Sequence, residues 1–192
     1  YGKCALFLVI QETIGGVDQA GVFQFPFKFQ SGGMRARFNP HDGQLYVSGL
    51  KGWQTSGAKD GCLQRVRFTG EKVTMPRSLN IHENGIRVGF TQQLDKELAE
   101  DLDSWQIEQW NYKWTSKYGS KEYKVSEPST PGHDKVEVRS ARLLPGGQEV
   151  FLEIPSLAPV MQMKIDFDLE TTSGDEMIGT LHNTIHALGP AL

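Results

Sequence analysis

Apolar and polar residues alternate along most of the chain, and strand-period runs far outnumber helix-period ones. Leu6, Leu8 and Ile10 interleave with Phe7 and Val9, so the stretch from Cys4 to Ile10 is apolar on both faces and predicts a buried strand. Phe23, Phe25, Phe27 and Phe29 recur at period 2 and place four rings on one side of an extended segment. Pro26 lies inside that segment and donates no backbone hydrogen bond, which predicts an edge strand or an irregular approach to one. Next come Met34–Phe38, the turn residues Asn39-Pro40-His41-Asp42-Gly43 and the run Gln44–Ser48, which read as strand, turn, strand. A further strand is predicted over Cys62–Phe68.

The same period continues beyond residue 78. Ile86–Phe90 alternates, as do Lys135–Arg139 and Glu149–Ile154. In Met161–Leu169 the residues Met161, Met163, Ile165, Phe167 and Leu169 are expected on one face, with Asp166 and Asp168 on the other. One short helical signal breaks the pattern: the acidic stretch from Asp95 to Asp103, with Asp95 as N-cap. Six to eight strands in this half indicate an immunoglobulin-like sandwich, although the two cysteines that mark antibody domains are missing.

Composition sharpens this picture. The chain has 192 residues, enough for one large or two small domains, and its 21 Gly and 9 Pro are many for a helical bundle. No apolar run approaches the ~18 residues of a membrane helix. The net charge of −3 hides an asymmetry: residues 1–77 carry ten basic and five acidic side chains, and residues 78–192 carry ten and eighteen. This predicts two domains, 1–77 and 78–192, with a boundary near Met75-Pro76-Arg77. The basic residues are too scattered to predict a nucleic-acid partner. Residue 1 is Tyr and no leader pattern precedes the first strand, as expected of a fragment. Cys4 and Cys62 lack CxxC spacing, and either two core thiols or a disulfide fits them. Residues 78–192 are expected to fold alone, and residues 1–75 are not.

The string Met34-Arg35-Ala36-Arg37-Phe38-Asn39-Pro40-His41-Asp42-Gly43-Gln44-Leu45-Tyr46-Val47-Ser48-Gly49, with Leu50–Thr55 and Gly61-Cys62-Leu63-Gln64-Arg65-Val66, resembles blades of sugar-dehydrogenase-type β-propellers. It is similar to the PQQ-dependent, sorbosone-dehydrogenase-like, membrane-bound-dehydrogenase-like proteins of environmental bacteria. The order of elements after residue 78 is similar to Ig-like modules appended to such secreted enzymes, and His182-Asn183-Thr184-Ile185-His186 fits the family's closing strand. The resemblance implies an all-β chain: the last one to two blades of an incomplete β-propeller over 1–77, then an Ig-like β-sandwich over 78–192. It implies a C-terminal, mainly structural part of an extracytoplasmic sugar or alcohol dehydrogenase-like oxidoreductase. No cofactor is expected within this chain. PQQ, and haem c in a cytochrome c domain, belong by that resemblance to the parent, whose upstream blades are the expected partner. The alternative is a non-enzymatic module that binds carbohydrate or a partner domain.

Candidate chemistry is sparse, and no catalytic residue is predicted. His182 and His186 are four apart; on a strand that separation is ~13 Å, too far to chelate one metal ion. Asp166 and Asp168 would suit calcium or glycoside hydrolysis, but alternation predicts a plain solvent face. Trp53, Gln54 and Thr55 sit in a Gly-flanked loop and read either as a ligand-face loop or as a latch between blades. Arg35, Arg37, Arg65 and Arg67 are expected at the surface or in ion pairs between blades. Gly15-Gly16 and Gly32-Gly33 precede no helix and form no phosphate loop.

Trp110, Tyr112 and Trp114 share one parity, opposite to Trp105 and Ile107. Three readings fit: a domain interface, core packing reached through a bulge at Glu108-Gln109, and a sugar-stacking platform. The interface reading expects at least two of these rings buried, partly by residues 1–77.

Overall fold

The turn at Gly15-Gly16 shows how local chemistry starts this fold. Both glycines have positive φ, 57° and 83°, a combination that makes a two-residue turn matching the right-handed twist of its flanking strands. It joins β1 (Ala5–Ile14) to β2 (Val17–Lys28). The computed structural model describes residues 1–192. It divides into two units: residues 1–8 with 24–72, and residues 9–23 with 73–192. Both strands of the first hairpin therefore contribute to both units. The charge asymmetry placed a boundary near residue 77 with everything before it in one domain; the division instead falls after Lys72 and gives residues 9–23 to the larger unit. No helix is long and apolar enough to cross a membrane.

In the smaller unit β3 (Gly32–Phe38), β4 (Leu45–Leu50) and β5 (Gly61–Val66) form a sequential antiparallel sheet in the order β3-β4-β5. The predicted turn joins β3 to β4. Gly43 takes φ 67°, Asn39 N–H donates to Gln44 O, and Asp42 Oδ1 accepts from Gln44 N–H at 3.0 Å. Cys4, Phe29 and Val47 form its buried cluster, with Leu6, Leu45 and Val66 packed around them. Both cysteines are free thiols.

The larger unit is a sandwich-like pair of sheets. One sheet comprises β6 (Pro76–His82), β7 (Gly85–Phe90), β11 (Ser140–Leu143) and β12 (Glu149–Glu153), ordered β11-β12-β7-β6. The other has seven strands in the order β1-β2-β14-β13-β8-β10, with β9 also paired to β8. Its later strands are β8 (Trp105–Tyr112), β9 (Glu122–Tyr123), β10 (Asp134–Lys135), β13 (Val160–Glu170) and β14 (Glu176–Ile185). Rings from both sheets meet in the core: Phe90 of β7 lies 5.5 Å from Phe167 of β13 and 6.4 Å from Trp105 of β8. The predicted helical turn is α1 (Lys96–Glu100), and the Asp95 side chain accepts from Leu98 N–H at 3.1 Å as its N-cap.

Three local expectations need correcting. Lys135–Arg139 is not one strand: Val136 N–H donates to Ile107 O, whereas Arg139 N–H donates to Glu153 O, so this segment crosses from one sheet to the other. Met161 does not share the buried face of Met163, Ile165, Phe167 and Leu169. A bulge between Val160 and Met163 turns it outward, and it is 50% exposed. Residues 78–192 also lack part of their own unit. β14 pairs with Gly21–Phe23 of β2, and the Gln19 side-chain oxygen accepts from the backbone of His186 and Ala187. Pro26 lies beyond the three residues of β2 that pair with β14, so its missing N–H costs no bond there.

Candidate aromatic and histidine site

β8 pairs with β13 through an unbroken register from Trp105↔Phe167 to Trp110↔Gln162. No bulge interrupts β8, and the two parities of its aromatic residues are the two faces of one strand. Trp105 and Ile107 enter the core. Trp110 and Tyr112 lie on the opposite face with Glu108, whose cross-strand neighbours are Lys164 and Lys135.

After Tyr112 the chain loops out and returns along the same edge of β8. β9 pairs Tyr123 with Asn111 and Glu122 with Tyr112, and β10 pairs Asp134 with Gln109. The return is shaped by Asp134, whose Oδ2 accepts from Val125 N–H at 2.7 Å and Ser126 N–H at 2.8 Å, and whose Oδ1 accepts from Ser126 Oγ at 2.6 Å. Burial opposes ionisation of this carboxyl, but these bonds outweigh it and hold its pKa below the usual carboxylate value.

This return places His133 over Trp110. The two rings stack at 4.0 Å between centroids and 11° between planes. The imidazole also bridges two carboxylates, with Nδ1 3.1 Å from Glu108 Oε2 and Nε2 2.7 Å from Glu122 Oε2. Desolvation works against the charged ring, but the bonds to Glu122 and Glu108 prevail and raise its pKa. An imidazolium, with a donor on each nitrogen, satisfies both carboxylates and lies favourably on the indole face. Trp110 is thereby 5% exposed, and its Nε1–H donates to Tyr112 Oη at 3.0 Å.

The expectation that at least two of the three rings are buried is not met: Trp110 alone is buried. Tyr112 is 39% exposed, and Trp114 and Tyr118 stand wholly in solvent on the outgoing loop. What the sequence reading missed is the cover. His133 lies 23 positions beyond Trp110, and no local pattern links them.

The Trp53 loop is pinned at its base rather than its tip. Thr55 Oγ1 lies 3.5 Å from Cys4 Sγ, and Gly2 O accepts from both Ser56 N–H and Ser56 Oγ. Gln54 takes φ 56°, the left-handed region, and Trp53 is 81% exposed. Gln54, but not Trp53, lines a groove of about 720 Å³ with Tyr1, Lys3, Phe7, Lys28 and Ser56. Trp53 stands outside that groove, and Thr55 and Ser56 after it are committed to Cys4 and Gly2.

Asp166 is occupied by Thr180 Oγ1 at 2.6 Å and by Lys164 Nζ at 2.5 Å, beside a shallow groove of about 340 Å³ that Asp168 also lines. His182 lies within β14 opposite Lys164, and His186 follows that strand's end. Arg35, Arg37, Arg65 and Arg67 are exposed and carry no ion pair within 4.0 Å. Compared with family models, with curated proteins and with solved structures, the chain matches none of them.

Proposed function

We propose that this chain is the C-terminal part of an extracytoplasmic, propeller-type sugar or alcohol dehydrogenase-like protein, in which it acts mainly as structural material. The observation that carries this reading is the fold of the resembling string. Residues 34–66 form a three-stranded sequential antiparallel meander with the Asp42-Gly43 turn in its first hairpin, the connectivity of three of a propeller blade's four strands. The facing sheets of the larger unit suit the Ig-like module expected after it. PQQ and haem c belong, in this reading, to upstream parts of the parent. The test is dye-linked oxidation of a panel of aldoses and alcohols with added PQQ. The parent is expected to turn over, and the 192-residue chain to stay at the buffer blank. Turnover by the chain alone overturns the reading.

A second reading, a carbohydrate- or partner-binding module, is favoured by the open rings of Trp114 and Tyr118. Trp114→Ala is then expected to change stability by under ~0.5 kcal/mol, because the ring buries nothing, while abolishing retention on an insoluble neutral polysaccharide. Unchanged retention, or none by the wild type, removes this reading.

A further inference from the structure

The two units differ sharply in charge. The smaller carries nine Lys and Arg against three Asp and Glu, net +6, and the larger carries eleven against twenty, net −9. Part of the positive excess is gathered on one surface. Register places Arg37, Tyr46 and Arg65 in one cross-strand row of the three-stranded sheet, and Arg35, Ser48 and Leu63 in the next. Arg67 follows directly after β5. The opposite face carries Leu45, Val47 and Val66 of the buried cluster and its surround.

None of the four guanidinium groups is ion-paired within 4.0 Å. Arg35 and Arg37 donate only to the carbonyls of Met34 and Ala36, both at 2.8 Å, next to them in sequence. Asp42 is the acid near this face, and its oxygens are taken. Oδ1 accepts from Gln44 N–H and Oδ2 from Tyr46 Oη. The Gln44 bond chiefly, with smaller help from Tyr46 and Arg65, lowers its pKa, so Asp42 stays ionised and its single charge offsets only part of the positive charge at the Arg65 end of the rows.

From this arrangement we infer that the outer face of β3-β4-β5 binds an acidic polysaccharide through its carboxylate or sulfate groups. Residues two apart on a strand stand ~6.7 Å apart, and strands two apart in the sheet ~9.5 Å, so the arginines span successive charged groups of a linear polymer. Guanidinium meets carboxylate and sulfate through paired, charge-assisted hydrogen bonds. Leu63, 73% exposed, offers an apolar spot to the C–H face of a pyranose ring. The chemistry favours a polysaccharide over single-stranded nucleic acid. Tyr46 is the one aromatic ring in these rows, half-buried and flanked by arginines, and base recognition needs a series of open rings. Edge protection explains charge on β3 and β5 but asks nothing about its sign; here every charge in the rows is positive. The inference does not depend on the dehydrogenase-like reading.

The test is fluorescence anisotropy with the full chain and labelled polygalacturonate. Unlabelled dextran sulfate, neutral dextran and oligo-dT serve as competitors. Binding is expected at about 50 mM NaCl and should weaken steeply by about 300 mM. Unlabelled polygalacturonate is the reference competitor: dextran sulfate competing more strongly than it assigns the site a preference for sulfate, and weaker competition a preference for carboxylate, and either order supports the inference. R37A/R65A is expected to weaken binding at least about tenfold. K51A/K59A removes the same charge from the same unit away from these rows and should change binding less than about twofold. Both variants should keep the wild-type melting temperature. Equal losses in the two variants reduce the effect to net charge and overturn the inference. So does absence of binding, and so does oligo-dT competing better than either polysaccharide.

Discussion

In the larger unit Ile86, Val88, Phe90, Leu152, Ile154, Met163, Ile165 and Leu181 are all 0% exposed, whereas the smaller unit buries Cys4, Phe29 and Val47 and leaves Phe38, Leu63 and Phe68 at 73% exposure or more. Each fully buried side chain of this kind contributes about 1.5–3 kcal/mol. The larger unit therefore has a core that can offset its own chain entropy, and the smaller has only the beginning of one. The smaller unit instead holds its loops with polar pins: Ser56 to Gly2, Gln30 N–H to Gln64 Oε1 and Ser31 Oγ to Cys62 Sγ. A net hydrogen bond adds about 1 kcal/mol. Two regions with the same strand period thus reach order by different means, and period alone did not distinguish them.

The largest expected effect comes from cutting the chain where composition suggests. Residues 78–192 alone lose the Gly21–Phe23 pairing, the Phe23 ring on Phe167 and the Gln19 bonds. This fragment should melt at least about 10 °C below the full chain, or without cooperativity. Joining residues 9–23 to 73–192 through a Gly-Ser linker of about 15 residues, which spans ~20 Å, should restore a cooperative melt. A fragment 78–192 as stable as the full chain would break the comparison.

A smaller effect sharpens it within the larger unit. His133 faces Glu108 and Glu122, and Lys135 and Lys164 flank Glu108 across the strands. Its folded pKa is raised, so its contribution is complete below the ordinary histidine value near ~6.5 and is lost as pH rises through the higher folded value. Amide exchange at Tyr123 and Lys135, corrected for intrinsic rate, should accelerate about two- to fivefold between pH 6 and pH 9, the scale of a partly exposed ion pair. His133→Gln should remove that dependence. Equal pH dependence in the variant would show that the return segment is held by other groups.

What the sequence disclosed follows the range of the forces involved. The Asp95 cap and the Asn39–Gly43 turn are set by residues within four positions, and both were legible. The Gly15-Gly16 turn was equally local, but it was weighed only as a phosphate loop. The β2–β14 pairing joins residues more than 150 positions apart, and nothing in either segment names the other. The same holds for the aromatic site. Parity correctly put Trp110 opposite Trp105, but the loop return that brings His133 over it depends on Asp134, Ser126 and Glu122 acting together.

The bulge at Met161 carries a consequence for chemical ageing. It brings one thioether to the surface, where Sδ accepts from Tyr112 N–H at 3.1 Å, while Met163 stays sealed at 0% exposure. Peroxide is therefore expected to oxidise Met161 well before Met163, an order that peptide mass mapping reads directly. Oxidation there converts a soft, weak acceptor into a polar sulfoxide at the foot of the Tyr112–Trp114 loop. Oxidant is thus expected to mark the rim of the aromatic site before it reaches the core.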